Sequence, residues 1–272
     1  MEDRFIIQLN TKRLGDKRMK KILIVADKWL KTKTLLKHKH IREYVPKTRR
    51  MSKEELLSML EQFAMVYLKP TIGTQGKGVM RVEQLSASNN TKFRYQSGIQ
   101  TKSLRNYNSL YQTINKHKLK PSYLVQQGIE LLTYKNRRFD VRVMVQKNPK
   151  KVWESTGIIG RLAHPKKIVT NYHSGGTPLP LETLLQPYLI ADQITEYLKI
   201  LNHLGVEIAL SLEKKYPGIN SIGVDIGIDK NFKPWILEVN TRPDVYIFKE
   251  LKDKRTFRKI YRYAKQLGRI TS

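Results

Sequence analysis

The chain has 272 residues, and its 40% hydrophobic content is enough to bury a core in one large domain or two small ones, which excludes a disordered polymer. It contains no cysteine, so disulfides, zinc-thiolate sites and thiol nucleophiles are excluded together. With 52 Lys and Arg against 23 Asp and Glu the net charge is +29, which directs attention to a polyanion (nucleic acid, anionic lipid, a cell-wall polymer or a polyphosphate nucleotide) without choosing among them, or to nothing more than a solvated surface.

The charge is gathered towards the ends: residues 11–50 carry 15 basic and 3 acidic side chains, and residues 246–272 carry 9 and 2. The first residues, MEDRFIIQLNTKRLGDKRMKK, have no apolar stretch followed by a small-residue cleavage site, and no apolar run reaches about 18 residues. Neither export nor a transmembrane segment is therefore expected, and the cytoplasm is the default location. SKEELLSMLEQFA reads as a helix opened by Ser52 and Glu55 in capping-box spacing, with Leu56, Leu60 and Phe63 on one face and an end near Ala64. MVYLKP and GVMRVEQ read as two strands joined by a glycine-rich segment. KFRYQ is a further strand, SLRNYNSLYQTINK a helix, and SYLVQQ a strand ending at Gly128.

RFDVRVMVQKN and KVWESTGIIGRLA both alternate as strands do, with the turn NPKK between them, and TNYHSGGTPLP has the composition of a loop. Residues 187–215 are the longest helical stretch, expected to break or bend at Gly205. SIGVDIGID and PWILEVN form a hairpin around KNFK, and a basic amphipathic helix closes the chain. Strands and helices mix without strict alternation, so the fold class is α+β rather than a doubly wound sheet.

Four segments carry chemistry. YLKPTIGTQGKGV lacks the P-loop pattern, which would need glycine where Thr71 stands and Ser or Thr where Gly78 stands, and its glycines at 73, 76 and 78 miss the dinucleotide spacing. It remains a glycine-rich hairpin able to fold over a triphosphate with its backbone N–H groups while Lys69 supplies a point charge, or else an ordinary hairpin loop. In PWILEVN, Glu238 and Asn240 share one strand face with Ile236. A turn centred on Asn231 and Phe232 puts Asp225 directly opposite Glu238. Two carboxylates so placed repel and call for a cation, and two charged oxygens with one amide suit Mg2+. RRFDVRVMV puts Arg138, Asp140 and Arg142 on one face, with Arg161 near the end of the next strand; arginine pairs bidentately with carboxylate or phosphate. TNYHSGG offers Asn171 and the Gly175–Gly176 pair as a second phosphate-facing loop, while His173 has no acid or nucleophile placed to form a triad with it.

Taken in order, YLKPTIGTQGKG, RFDVRVMVQK, TGIIGRLA and GVDIGID with WILEVN resemble the ATP-grasp superfamily, and within it the YheC/YheD family of endospore coat-associated proteins, over most of the chain from DKWLKTKTLL to EVNTRPD. The resemblance implies two α+β subdomains clamping ATP, and a carboxylate-amine ligase working through an acylphosphate with ADP release. It implies Lys69 on the phosphates under a lid of Gly73, Gln75, Gly76, Lys77 and Gly78. VQQGIE resembles the adenine hinge, with Gln126, Gln127 and Ile129 lining it and Glu130 at the ribose. Asp225, Glu238 and Asn240 match the metal triad for Mg2+, as two ions with Mn2+ as a substitute, and Arg142, Arg161 and Asn171 fall where related enzymes handle the γ-phosphate or the acylphosphate.

On this reading residues 1–64 are a short basic N-terminal segment with its lead-in helix. Residues 65–250 are the ATP-grasp domain, divided into a lid subdomain at 65–126 and a C-terminal subdomain at 127–250, and 251–272 are a basic C-terminal helix. Two departures from the superfamily stand out. Asp244 replaces the glycine often found after N-x-x-P, and residues 1–64 are short for the domain that commonly precedes the lid, which implies a reduced substrate pocket. The competing reading is a nucleotide-binding or spore-coat structural protein that keeps the fold while its basic ends hold an anionic polymer, whether cell wall or nucleic acid.

Overall fold

The computed structural model describes residues 6–11, 20–88, 91–170 and 172–270. Contacts divide the chain into two compact units, one of residues 1–45, 131–162 and 178–272, the other of residues 46–130 and 163–177.

The first unit contains a two-stranded ribbon of β1 (Ile6–Thr11) and β2 (Lys20–Val25) and helix α1 (Lys28–Leu36), capped by Asp27 Oδ1 accepting from the Leu30 N–H at 3.0 Å. Its main sheet is antiparallel around β10 (Arg137–Lys147), with β11 (Trp153–Leu162) and β12 (Thr177–Leu179) on one side, β13 (Ser221–Ile228) and β14 (Pro234–Asn240) on the other, and β9 (Thr133–Tyr134) on the end of β10. Strict alternation along β10 sends Phe139, Val141, Val143 and Val145 into the main core. There they meet Leu201, Leu204, Ile208 and Leu212 of helix α5 (Ala191–Lys215), which follows the short α4 (Leu181–Leu185).

The sequence predicts a break at Gly205, yet α5 is continuous over 25 residues. A Cβ at Gly205 would lie 3.0 Å from both Val143 and Val145, so the glycine serves close approach of helix to sheet rather than a bend. On the opposite face Met144 joins Ile159, Phe248, Ile260 and Ala264 in a smaller core under the closing helix α6 (Lys254–Gln266).

The second unit is a six-stranded antiparallel sheet in the order β3 (Thr48–Arg50), β8 (Tyr123–Gln127), β4 (Met65–Pro70), β5 (Met80–Ser88), β6 (Thr91–Ser97) and β7 (Gln100–Leu104). Helices α2 (Lys53–Phe63) and α3 (Tyr107–His117) cover the face carrying Val66, Leu68, Val82 and Val125. Ser52 caps α2 by accepting from the Glu55 N–H at 3.1 Å, but the Glu55 carboxylate turns to Arg49 at 2.6 Å instead of completing the box. The helix ends at Ala64, where the sequence places its end, in a left-handed conformation (φ 54°). α3 begins at Tyr107 rather than in the preceding SLRN, because residues 100–104 pair as β7 and Asn106 caps the helix on the Ser109 N–H.

Candidate functional site

The polar face of the first unit's sheet carries a row of charges built from cross-strand partners. Asp140 on β10 lies opposite Arg161 on β11, Arg142 on β10 opposite Asp225 on β13, and Asp225 opposite Glu238 on β14. Arg161 holds Asp140 bidentately, with Nε to Oδ1 at 2.8 Å and Nη2 to Oδ2 at 2.6 Å, and also reaches Asp225 Oδ1 at 3.1 Å. Arg142 Nε donates to the same Asp225 Oδ1 at 2.6 Å. All four side chains are buried. Burial works against the Asp225 charge, yet Arg142 and Arg161 outweigh it and hold its carboxyl below the usual range. Burial likewise opposes the Arg161 charge, and Asp140 and Asp225 overcome it and raise the guanidinium's pKa.

The register that places Asp225 opposite Glu238 arises in a way the sequence does not reveal. The hairpin turn is centred on Asn231, with Ile228 facing Pro234, and an irregularity between Asp225 and Ile226 leaves Leu237 as an extra residue in β14. That extra residue restores the register at Asp225 and changes the face of what precedes it. Ile236 is therefore buried with Val239 in the main core and does not share the face of Glu238 and Asn240, which corrects the expectation from simple alternation. Gly223, opposite Asn240, is where Arg142 crosses β13: a Cβ there would lie 3.1 Å from Arg142 Cδ and 2.8 Å from Pro243.

Asn240 Nδ2 lies 3.4 Å from Asp225 Oδ2. With its amide turned over, the nitrogen donates to Glu238 Oε1 at 3.1 Å and the oxygen accepts from Arg142 Nη2 at 3.3 Å, which satisfies both ends. Two side chains of α1 that the sequence does not single out complete the row. Lys28 Nζ approaches Glu238 Oε1 at 3.6 Å, and Lys31 is buried with its ammonium on the Val25 carbonyl at 2.7 Å. Burial pushes the Lys31 pKa down to about 8 against the pull of Glu238. Thr241, next after Asn240, fixes this end of the helix by exchanging hydrogen bonds with the backbone of Val25 at 2.9 and 3.2 Å. Nothing in the sequence distinguishes Lys28 and Lys31 within so basic a segment, whereas the R-x-D-x-R spacing around Asp140 is a usable signal.

The donor set fits a hard divalent cation. Both arginines take Asp225 Oδ1, and with the Asn240 amide turned over Asp225 Oδ2 accepts no hydrogen bond among the described residues, while Glu238 keeps a quarter of its side chain exposed. No group of three or more His, Asp and Glu with metal-binding geometry occurs among the described residues, so a cation here would rest on two carboxylates and an amide.

The second unit carries the other predicted residues. Alternation along β4 puts Val66 and Leu68 in the core and Tyr67 and Lys69 on the opposite face. Lys69 Nζ donates to Gln126 Oε1 at 2.5 Å, and Gln126 Nε2 to Thr48 Oγ1 at 3.0 Å, so one buried amide links three strands and aims the lysine. Residues 71–79 form the loop of the β4–β5 hairpin. Gly73, Gln75, Gly76 and Gly78 all take positive φ there, at 149°, 59°, 73° and 74°, while Gln75 and Lys77 are exposed. Ser174 Oγ donates to the Gln75 carbonyl at 3.2 Å and ties this loop to the TNYHSGG segment. Asn171 lies outside the described residues.

After β8, Gln127 holds Lys47 through both backbone and side chain, at 2.8 and 3.2 Å, and the Gly128 N–H donates to the Met65 carbonyl at 2.8 Å. A Cβ at Gly128 would come within 2.6 Å of Met65. Ile129 is buried and Glu130 exposed.

A family model described as YheC/D like ATP-grasp matches residues 22–267. The endospore coat-associated protein YheD of Bacillus subtilis (strain 168) is 28% identical over 279 residues, covering 98% of this chain and 60% of that protein. YheC of the same organism is 25% identical over 220 residues, covering 80% and 60%. The chain thus spans about 60% of the length of these curated relatives. The crystal structure of D-cycloserine synthetase DcsG superposes with a TM-score of 0.53 at 12% identity over 89% of this chain and 70% of that one, a likeness of fold. Among the described residues no helix is long and apolar enough to cross a membrane.

Proposed function

The chain belongs to the YheC/D-like ATP-grasp family, and from that premise we propose that it is an ATP- and Mg2+-dependent ligase joining a carboxylate to an amine through an acylphosphate with release of ADP. The observation that carries the reading is the carboxylate pair Asp225 and Glu238, directly opposed across two strands beside Asn240 and backed by Arg142 and Arg161. Like charges directly opposite destabilise a sheet, and Arg142, Arg161 and Lys28 offset that repulsion here, so what supports the reading is the set of oxygen donors the pair presents beside Asn240. Asp225, Glu238 and Asn240 are the residues that would hold Mg2+, as two ions or with Mn2+ in their place. The ion would supply charge neutralisation for phosphate oxygens.

The chain's own residues divide the remaining work. Lys69, aimed by Gln126, offers a positive charge to a phosphate. The Gly73–Gly78 loop, with Gln75 and Lys77, is the segment proposed to lie over the phosphates, its glycines keeping side chains out of the way at three of six positions. Gln126, Gln127, Ile129 and Glu130 form the hinge proposed for the adenosine. Arg142 and Arg161 hold Asp225 ionised and oriented, and Arg142, the nearer of the two to Asn240, is the candidate for charge developing on a transferred phosphoryl group. Asn171 is retained as a candidate at the same step.

The test is release of ADP by the purified protein across a panel of carboxylates, amines, amino acids and cell-wall precursors, together with melting in Mg-ATP. ATP at 100 times its dissociation constant adds about 2.7 kcal/mol to stability. Glu238→Gln should melt like the unaltered protein without ligand and lose most of the Mg2+-dependent rise, while Lys69→Ala should lose the rise with ATP itself.

A second reading is favoured by the relatives' names and by α6, where Lys254, Arg255, Arg258, Arg262 and Lys265 are exposed. On it the protein is a spore-coat or nucleotide-binding component that holds an anionic polymer. Binding to heparin or a teichoic-type polymer that falls steeply with salt, with ATP bound but ADP never released under any acceptor, would sink the ligase and leave this reading.

A further inference from the structure

A cavity of about 400 Å3 opens between the C-terminal turns of α1 and α5, on the α5 side of the first unit's sheet and away from the Asp225 face. Leu30 and Tyr216 give it an apolar floor, and Lys33, Lys37, Lys214 and Lys215 surround it. Among the described residues no carboxylate lines it. Among the described residues Lys37, Lys214 and Lys215 make no ion pair, and Glu213, the acid closest in sequence, is turned away to Lys147 and to Trp153 Nε1. His38 also lines the cavity, and its Nδ1 is buried without a hydrogen-bond partner. Lysines in a last turn complement a helix dipole, but that accounts neither for the concavity nor for an apolar floor beneath several like charges. Four lysines around one concavity give it a positive potential that favours a doubly charged anion.

We propose that this cavity binds a phosphomonoester with a compact apolar or aromatic body, the phosphate among the lysines and the body against Leu30 and Tyr216. Its volume lies in the range of small-molecule sites, and a basic rim over an apolar floor selects an anion carrying its own hydrophobic group over a bare ion.

The experiment is titration of the full chain, followed by NMR and calorimetry with Mg-ATP both absent and present, using phenyl phosphate, inorganic phosphate and phenol as probes. Phenyl phosphate should bind at least tenfold more tightly than either half-probe, shift resonances of α1 and the end of α5, weaken with salt, and be indifferent to Mg-ATP. The double variant Lys37→Ala, Lys214→Ala alters only exposed side chains and should keep the melting temperature while weakening phenyl phosphate at least tenfold. Ser211→Phe, which fills the cavity from α5, should abolish the advantage of phenyl phosphate over inorganic phosphate. Equal affinity for phenyl phosphate and inorganic phosphate, or an unchanged affinity in either variant, overturns the proposal. Competition by Mg-ATP would assign the binding to the nucleotide reading instead.

Discussion

The charged row on the first unit's sheet and the glycine loop of the second reach a defined geometry by opposite means. In the row, position comes from side chains: Asp140, Arg142, Arg161 and Asp225 are buried and locked to one another at 2.6–3.1 Å across three adjacent strands. In the loop, position comes largely from the backbone, through residues at positive φ, with side-chain ties from Ser174 to the Gln75 carbonyl and from the Tyr123 hydroxyl to the Gly78 carbonyl. A network of buried charges is costly to assemble and costlier to break, because each survivor is left desolvated. A loop of positive-φ residues loses local backbone energy when altered, and side-chain packing adds to that only where a Cβ would meet a neighbour.

The sharpest way to break this contrast is Asp140→Ala. It strips Arg161 of its bidentate partner in a buried setting and should cost about 3–5 kcal/mol in chemical denaturation. If that variant loses no more than the glycine variants below, the row is not what fixes the sheet's polar face.

Lys31 sharpens the comparison through pH. The unfolded chain holds its proton up to 10.5 and the folded chain releases it near 8, so between those values the unfolded state binds more protons. Stability should therefore rise with pH across that window, by an amount on the order of 3 kcal/mol, and Lys31→Met should flatten the rise in urea melts at successive pH values.

In the loop, Gly78→Ala meets Leu119 Cδ1 at 2.7 Å and the Tyr123 hydroxyl at 2.8 Å at a φ of +74°, and should cost about 2 kcal/mol by the same measurement. Gly98→Ala is the smallest effect expected: its φ of +57° is strained for alanine but among the described residues, its chain neighbours aside, no atom lies within 4 Å of the added Cβ, so about 1 kcal/mol should be lost. Equal losses at Gly78 and Gly98 would mean that conformation alone, and not packing against Leu119 and Tyr123, shapes the loop's end.

What the sequence by itself determined was what is local. Alternation in RFDVRVMVQK separates a core face from a polar face, Ser52 and Ala64 bound α2, and the glycines between β4 and β5 mark a hairpin loop, because strand pleat, cap and positive φ each depend on a few adjacent residues. The hairpin that brings Asp225 and Glu238 together was also legible, but their exact opposition rests on the irregularity at Leu237, since a regular hairpin about the observed turn would set Asp225 opposite Leu237. Only the tertiary structure decided which strands flank β10, and with that the pairing of Asp140 with Arg161 and of Arg142 with Asp225 across 21 and 83 residues of chain. It also decided that Leu237 is the extra residue that turns Ile236 inward, that Gly205 admits β10 instead of bending α5, and that Lys28 and Lys31, two among many lysines in sequence, come to lie beside Glu238. A charge can be buried only where distant segments bring it a partner, and no local pattern records which segments those will be.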